Sequence, residues 1–150
     1  MKLATALSRR ADLQGKLNEI EKRLVANSKV QEGEQPSENP VELIAEKDGI
    51  LSELENLIIK INLTNSKIEY NGTTVTEMLA KRDCLKQNIA IMRNFLNSAN
   101  DKINRYSKSE IAIKSTVDVA EYRKKVDVFC KELRELDEKI QELNWTTELI

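Results

Sequence analysis

The stretch Val119-Ala120-Glu121-Tyr122-Arg123-Lys124-Lys125-Val126-Asp127-Val128-Phe129-Cys130-Lys131-Glu132-Leu133-Arg134-Glu135-Leu136-Asp137-Glu138-Lys139-Ile140-Gln141-Glu142-Leu143 decides the fold. Apolar residues return at Val119, Tyr122, Val126, Phe129, Leu133, Leu136, Ile140 and Leu143, in alternating steps of three and four. At 3.6 residues per turn these positions fall on one stripe of a helix, the stripe that packs against another helix.

The same spacing runs through the rest of the chain. Met78, Arg82, Leu85, Ile89, Met92, Leu96 and Ala99 form a third seam, broken by Arg82 alone. Ile44, Lys47, Leu51, Leu54, Ile58, Ile61 and Asn65 form a second. Leu3, Leu7, Leu13, Leu17, Ile20 and Leu24 form the first, with a slip of phase at Arg10. Four helices of about 25 residues are expected, each near 38 Å long.

The punctuation agrees. Pro36 and Pro40 follow Gly33, and proline suits the first turn of a helix, so the second helix should open near Pro40 with Asn39 as its N-cap. Asn71-Gly72 between β-formers signals a type I′ hairpin. Thr74 with Glu77 reads as a capping box for the third helix. A short strand pattern covers Glu110 to Lys114, after which Thr116 or Asp118 caps the fourth helix. The expected fold is all-α: one domain over residues 1–150, an antiparallel up-down four-helix bundle with a small β-hairpin at one end and a short strand in the last connection.

In such a bundle the first and third connections share an end. Residues 31 to 42 carry Glu32, Glu34, Glu38 and Glu42 with no Lys or Arg, whereas residues 102 to 114 carry Lys102, Arg105, Lys108 and Lys114 against Glu110. An acidic strap and a basic strap are therefore expected to meet at one pole.

Composition excludes several functions. The chain has no histidine, which removes Ser-His-Asp triads, Cys-His dyads and HExxH zinc sites. Carboxylates stay off the seams, so neither a metal centre nor another cofactor is expected. There is no Gly-rich phosphate loop. The 24 Lys and Arg against 25 Asp and Glu leave a net charge of -1, and with so few aromatics this argues against nucleic-acid binding. No apolar run approaches the roughly 20 residues that span a bilayer, and the N-terminus does not read as a signal peptide. A cytoplasmic protein with Cys84 and Cys130 reduced and packed as small hydrophobes is expected. Trp145 should cap the bundle end.

A few residues stand out. Arg82, on a seam, either fixes register by pairing with a carboxylate or with Asn65, or opens an anion pocket near the hairpin. The cluster Arg105, Tyr106, Lys108, Glu110 and Lys114 either pairs with the acidic strap or cradles an anion or an acidic partner. Arg123-Lys124-Lys125 reads as a solvated face. Val41, Leu43, Ile50, Leu57, Ile59 and Leu63 exceed what one seam requires, which points to a wider core, to a homo-oligomer interface or to contact with a membrane or foreign partner.

Several strings, in order, resemble a family of short bacterial helical proteins labelled septicolysin-like. They are Arg23-Leu24-Val25-Ala26-Asn27-Ser28-Lys29-Val30-Gln31-Glu32-Gly33-Glu34, Ile61-Asn62-Leu63-Thr64-Asn65, Arg82-Asp83, Tyr106-Ser107-Lys108-Ser109-Glu110-Ile111, Ser115-Thr116-Val117-Asp118-Val119 and Asn144-Trp145-Thr146-Thr147-Glu148-Leu149. Where resembling members carry an Arg, this chain carries Leu63. The resemblance implies one helical domain of unknown function, and its label implies a cytolysin.

The leading expectation is a non-enzymatic, self-associating helical scaffold or interaction protein, its partner a second copy or another protein. The alternatives are a septicolysin-like membrane-acting protein, which the charge pattern disfavours, and an enzyme or anion-binding protein with a site near residues 105–114.

Overall fold

A computed structural model describes residues 1–100 and 113–150. The elements are α1 (Leu3–Ala26), α2 (Pro40–Lys67), β1 (Glu69–Tyr70), β2 (Thr73–Thr74), α3 (Val75–Ala99) and α4 (Val119–Thr146). Four long helices and a hairpin between the second and third are what the seams and the Asn-Gly signal predict. The strand expected at Glu110 to Lys114 lies mostly outside the described residues.

Local chemistry sets the boundaries. Asn39 Oδ1 accepts the Val41 N–H at 3.0 Å, and Pro40 follows at the first helical position. Asp118, of the two candidate caps, serves α4: its Oδ1 accepts the Glu121 N–H at 3.1 Å. Asn71 and Gly72 both take left-handed backbone (φ 51° and 78°), as a type I′ turn requires, and pair Tyr70 with Thr73 and Glu69 with Thr74.

The chain divides into two compact units: Met1–Val75 with Gln141–Ile150, and Thr76–Ile140. In the first unit α1 and α2 run antiparallel around Leu3, Ala6, Leu13, Leu54, Leu57 and Ile61, with Leu7, Leu17, Ile50, Ile58 and Leu149 packed against them. Two seam assignments change here. Leu3, Ala6, Arg10, Leu13, Leu17, Ile20, Leu24 and Asn27 are all buried or half-buried, so the α1 stripe runs unbroken and Arg10 marks no slip. On α2 the packed stripe is Leu43, Lys47, Ile50, Leu54, Leu57, Ile61 and Thr64, while Ile44 and Leu51 stay exposed. Part of the apolar surplus on α2 is therefore core.

In the second unit α3 and α4 run antiparallel around Ile89, Leu96 and Val126, with Met92, Val119, Tyr122, Phe129, Cys130 and Leu133 half-buried beside them. Here the seams stand as spaced, and Met78 and Leu85 are buried too.

Candidate functional site

In the first unit, polar residues tie the chain to itself. Asn27 is buried at the end of α1; its Nδ2 donates to the Arg23 carbonyl at 2.8 Å and its Oδ1 accepts the Glu38 N–H at 3.0 Å. Arg23 then reaches the Glu38 carboxylate, at 3.0 Å from Nε to Oε2, and Glu46 at 3.6 Å. The Arg23 guanidinium holds the Glu38 carboxyl below the usual carboxylate range. Glu38 of the acidic strap is thus matched by α1. Most of the basic strap lies outside the described residues.

The two chain ends form a clasp. The Leu3 N–H donates to the Thr147 carbonyl at 3.0 Å, and the Leu149 N–H to the Met1 carbonyl at 2.8 Å. The Ile150 N–H reaches the Thr64 hydroxyl at 3.2 Å, and Thr64 is fully buried. Glu148 meets Lys2 Nζ at 2.8 Å and the Met1 amine at 2.9 Å, and these hydrogen bonds lower its pKa to about 2. A carboxylate whose folded pKa is depressed stabilises the fold above its unfolded pKa, and that contribution fades as pH falls through the folded value. Acid titration of the wild type should therefore show a larger loss of stability between about pH 4.5 and about pH 2 than Glu148→Gln shows, as read by urea midpoints across that range. An unchanged profile in the variant refutes the assignment. Trp145, beside the clasp, is 65% exposed and caps nothing.

The second unit holds a groove of about 240 Å³ between α3 and α4, with Leu96 and Val126 as its floor and Arg93, Asn97, Arg123 and Asp127 around it. Arg93 follows Met92 and Arg123 follows Tyr122, so each sits one place past a seam position and the two line the same groove. Arg93 Nη2 donates to Cys130 Sγ at 3.3 Å. Among the described residues neither Arg123 nor Asp127 has a hydrogen-bond or ion-pair partner. Two guanidiniums against one carboxylate give the groove a net positive charge suited to an oxyanion. Lys125, by contrast, packs over the Tyr122 ring at 4.5 Å and pairs with Glu121 at 3.3 Å.

A second hollow of about 200 Å³ in the same unit is lined by Phe95, Ser98, Ala99 and residues Ile113 to Thr116. Lys114 stands there, exposed. The other members of its predicted cluster, Arg105, Tyr106, Lys108 and Glu110, lie outside the described residues. Arg82 is half-buried and bonds its neighbour Asp83 at 3.1 Å through both Nε and Nη2. The buried Oδ1 of Asn65 has no partner among the described residues. Lys47 on the α2 stripe pairs with Asp48 at 2.9 Å. Both cysteines are free; Cys130 is half-buried as expected, but Cys84 is exposed because it stands round the helix from the side that packs. Among the described residues no cluster of three or more Cys, Asp and Glu could hold a metal ion.

Residues 10–149 match a family of unknown function, DUF6847. The chain belongs to DUF6847. A crystal structure of a functionally unknown conserved protein from Corynebacterium diphtheriae superposes with a TM-score of 0.91 at 40% identity, covering 100% of this chain and 99% of that one. No curated protein matches this DUF6847 member. Both descriptions state unknown function, and neither links DUF6847 to septicolysins. Among the described residues no helix is long and apolar enough to cross a membrane.

Proposed function

We propose that this chain is a non-enzymatic helical scaffold or interaction protein that self-associates through the outer face of α2, and that it works in the cytoplasm, where Cys84 and Cys130 stay reduced. One observation carries the reading. Val41, Ile44, Leu51, Ile59 and Leu63 are 43% to 72% exposed, yet they recur along one side of α2, the side turned away from Leu43, Ile50, Leu54, Leu57 and Ile61. Scattered exposed hydrophobics are ordinary on a soluble protein, whereas five on one side of a single helix are the kind of surface that makes contacts. Sedimentation equilibrium tests it. The wild type should show a concentration-dependent dimer, and Ile44→Glu/Ile59→Glu should sediment as one chain with an unchanged helical spectrum. A wild type that stays at one-chain mass at all concentrations overturns the reading.

The Arg93–Arg123 groove supports a second reading, anion binding. Titration calorimetry with inorganic phosphate should show binding that Arg123→Gln weakens by roughly tenfold, since charge-assisted hydrogen bonds from a guanidinium are strong. No heat from the wild type removes it.

A further inference from the structure

We infer that the ligand of the Arg93–Arg123 groove is a small zwitterion, an α-amino acid with an apolar side chain. This rests on the anion-binding reading of the groove and adds the ligand's other two parts, a cation and an apolar body. Asp127 carries the distinction. It stands one turn after Arg123 on α4, so a pairing between the two is within reach. Neighbouring opposite charges at the same spacing do pair: Glu121 with Lys125 at 3.3 Å and Lys131 with Glu135 at 3.8 Å. Arg123 and Asp127 do not, and both line the groove. Base before acid is the less favourable order at this spacing, so little is lost by leaving these two apart.

The α3 side is open to a ligand as well. Among the described residues the Arg93 side chain bonds only the Cys130 sulfur, a weak acceptor, and the Asn97 side-chain amide bonds nothing. A simple anion uses the two guanidiniums and leaves the Asp127 carboxylate beside it, like charge near like charge. A zwitterion uses both signs. Its carboxylate accepts from Arg93 and Arg123, its ammonium group donates to Asp127 and to Asn97 Oδ1, and its side chain lies on the buried Leu96 and Val126. The groove's volume of about 240 Å³ lies below the roughly 300–1,000 Å³ of sites for drug-sized ligands, which suits a body as small as one amino acid.

Saturation-transfer NMR titration of the full chain with L-leucine tests the inference, against isocaproate, which lacks the ammonium group, and isopentylamine, which lacks the carboxylate. Leucine should bind roughly tenfold more tightly than either, the order of effect of one hydrogen bond to a charged group. Asp127→Asn should weaken leucine by roughly tenfold and leave isocaproate as tight or tighter, whereas Arg123→Gln should weaken both. Isocaproate binding as tightly as leucine, or leucine binding untouched by Asp127→Asn, would overturn the zwitterion, while phosphate binding that Arg123→Gln weakens would still uphold the anion reading. Leucine binding that Arg123→Gln does not weaken would place the ligand elsewhere and overturn the inference too. No saturation transfer to leucine also overturns it, and the phosphate calorimetry then shows whether the anion reading falls with it.

Discussion

Ile61→Ala is expected to destabilise the first unit by about 4 kcal/mol, toward the upper part of the 2–5 kcal/mol range for such truncations. Ile61 is 1% exposed and sits in a cluster with Leu3, Ala6, Leu13, Leu54 and Leu57, joined by Leu149 from the far end of the chain. Removing its outer carbons leaves a cavity walled by two long helices and the terminal clasp, and such walls collapse only partly. The readout is urea unfolding followed by fluorescence of Trp145, the sole tryptophan, which belongs to this unit. A domain is typically stable by only about 5–15 kcal/mol, so the midpoint should move far. A shift worth less than about 1 kcal/mol would show that the cluster is loosely packed.

The second large effect is Leu96→Ala, expected to cost about 2–3 kcal/mol. Leu96 is just as well covered, at 2% exposed, but the surroundings differ. Among the described residues its cluster has three buried members, and the side chains around them are half-buried and able to shift. Leu96 also floors the open Arg93–Arg123 groove, so water can reach part of the space it vacates. A site that relaxes or hydrates loses the transfer energy of the removed carbons with a smaller cavity penalty. Hydrogen exchange of the α3 amides reports the change where Trp145 does not. Equal costs at residues 61 and 96 would contradict the difference in packing argued here.

The helices were legible because a step of three and four has few other physical causes. Their exact packed faces were legible only where the sequence offered one apolar residue per position. On α4 nearly every seam residue stands beside polar neighbours, and the spacing names the core directly. On α2 the pairs Leu43–Ile44, Ile50–Leu51 and Leu57–Ile58 offer two apolar residues side by side, and spacing alone does not choose between them. The partner helix chooses, and it takes Leu43, Ile50 and Leu57 with the small polar Thr64 in line, whose hydroxyl donates to the Lys60 carbonyl at 2.8 Å. On α1 the large Leu7 drew attention away from Ala6, although the smaller side chain is the fully buried one.

The Arg93–Arg123 groove was not legible from single positions. Arg93 and Arg123 both follow seam residues, and in an antiparallel pair such positions line one edge; read singly, each looks like an ordinary solvated charge. Arg82 drew notice because it interrupts a seam, yet its guanidinium bonds the adjacent Asp83, a partner that seam spacing does not reveal.

The clasp of Met1–Leu3 with Thr147–Leu149 makes the first unit discontinuous in sequence. On the ribosome, α1 and α2 emerge early, but the residues that pair with Leu3 and meet Thr64 are synthesised only after all of Thr76–Ile140. The first half of the chain must therefore wait, its edge unsealed, until Thr147–Ile150 have emerged, and a chain that stalls before them leaves that edge open to proteases.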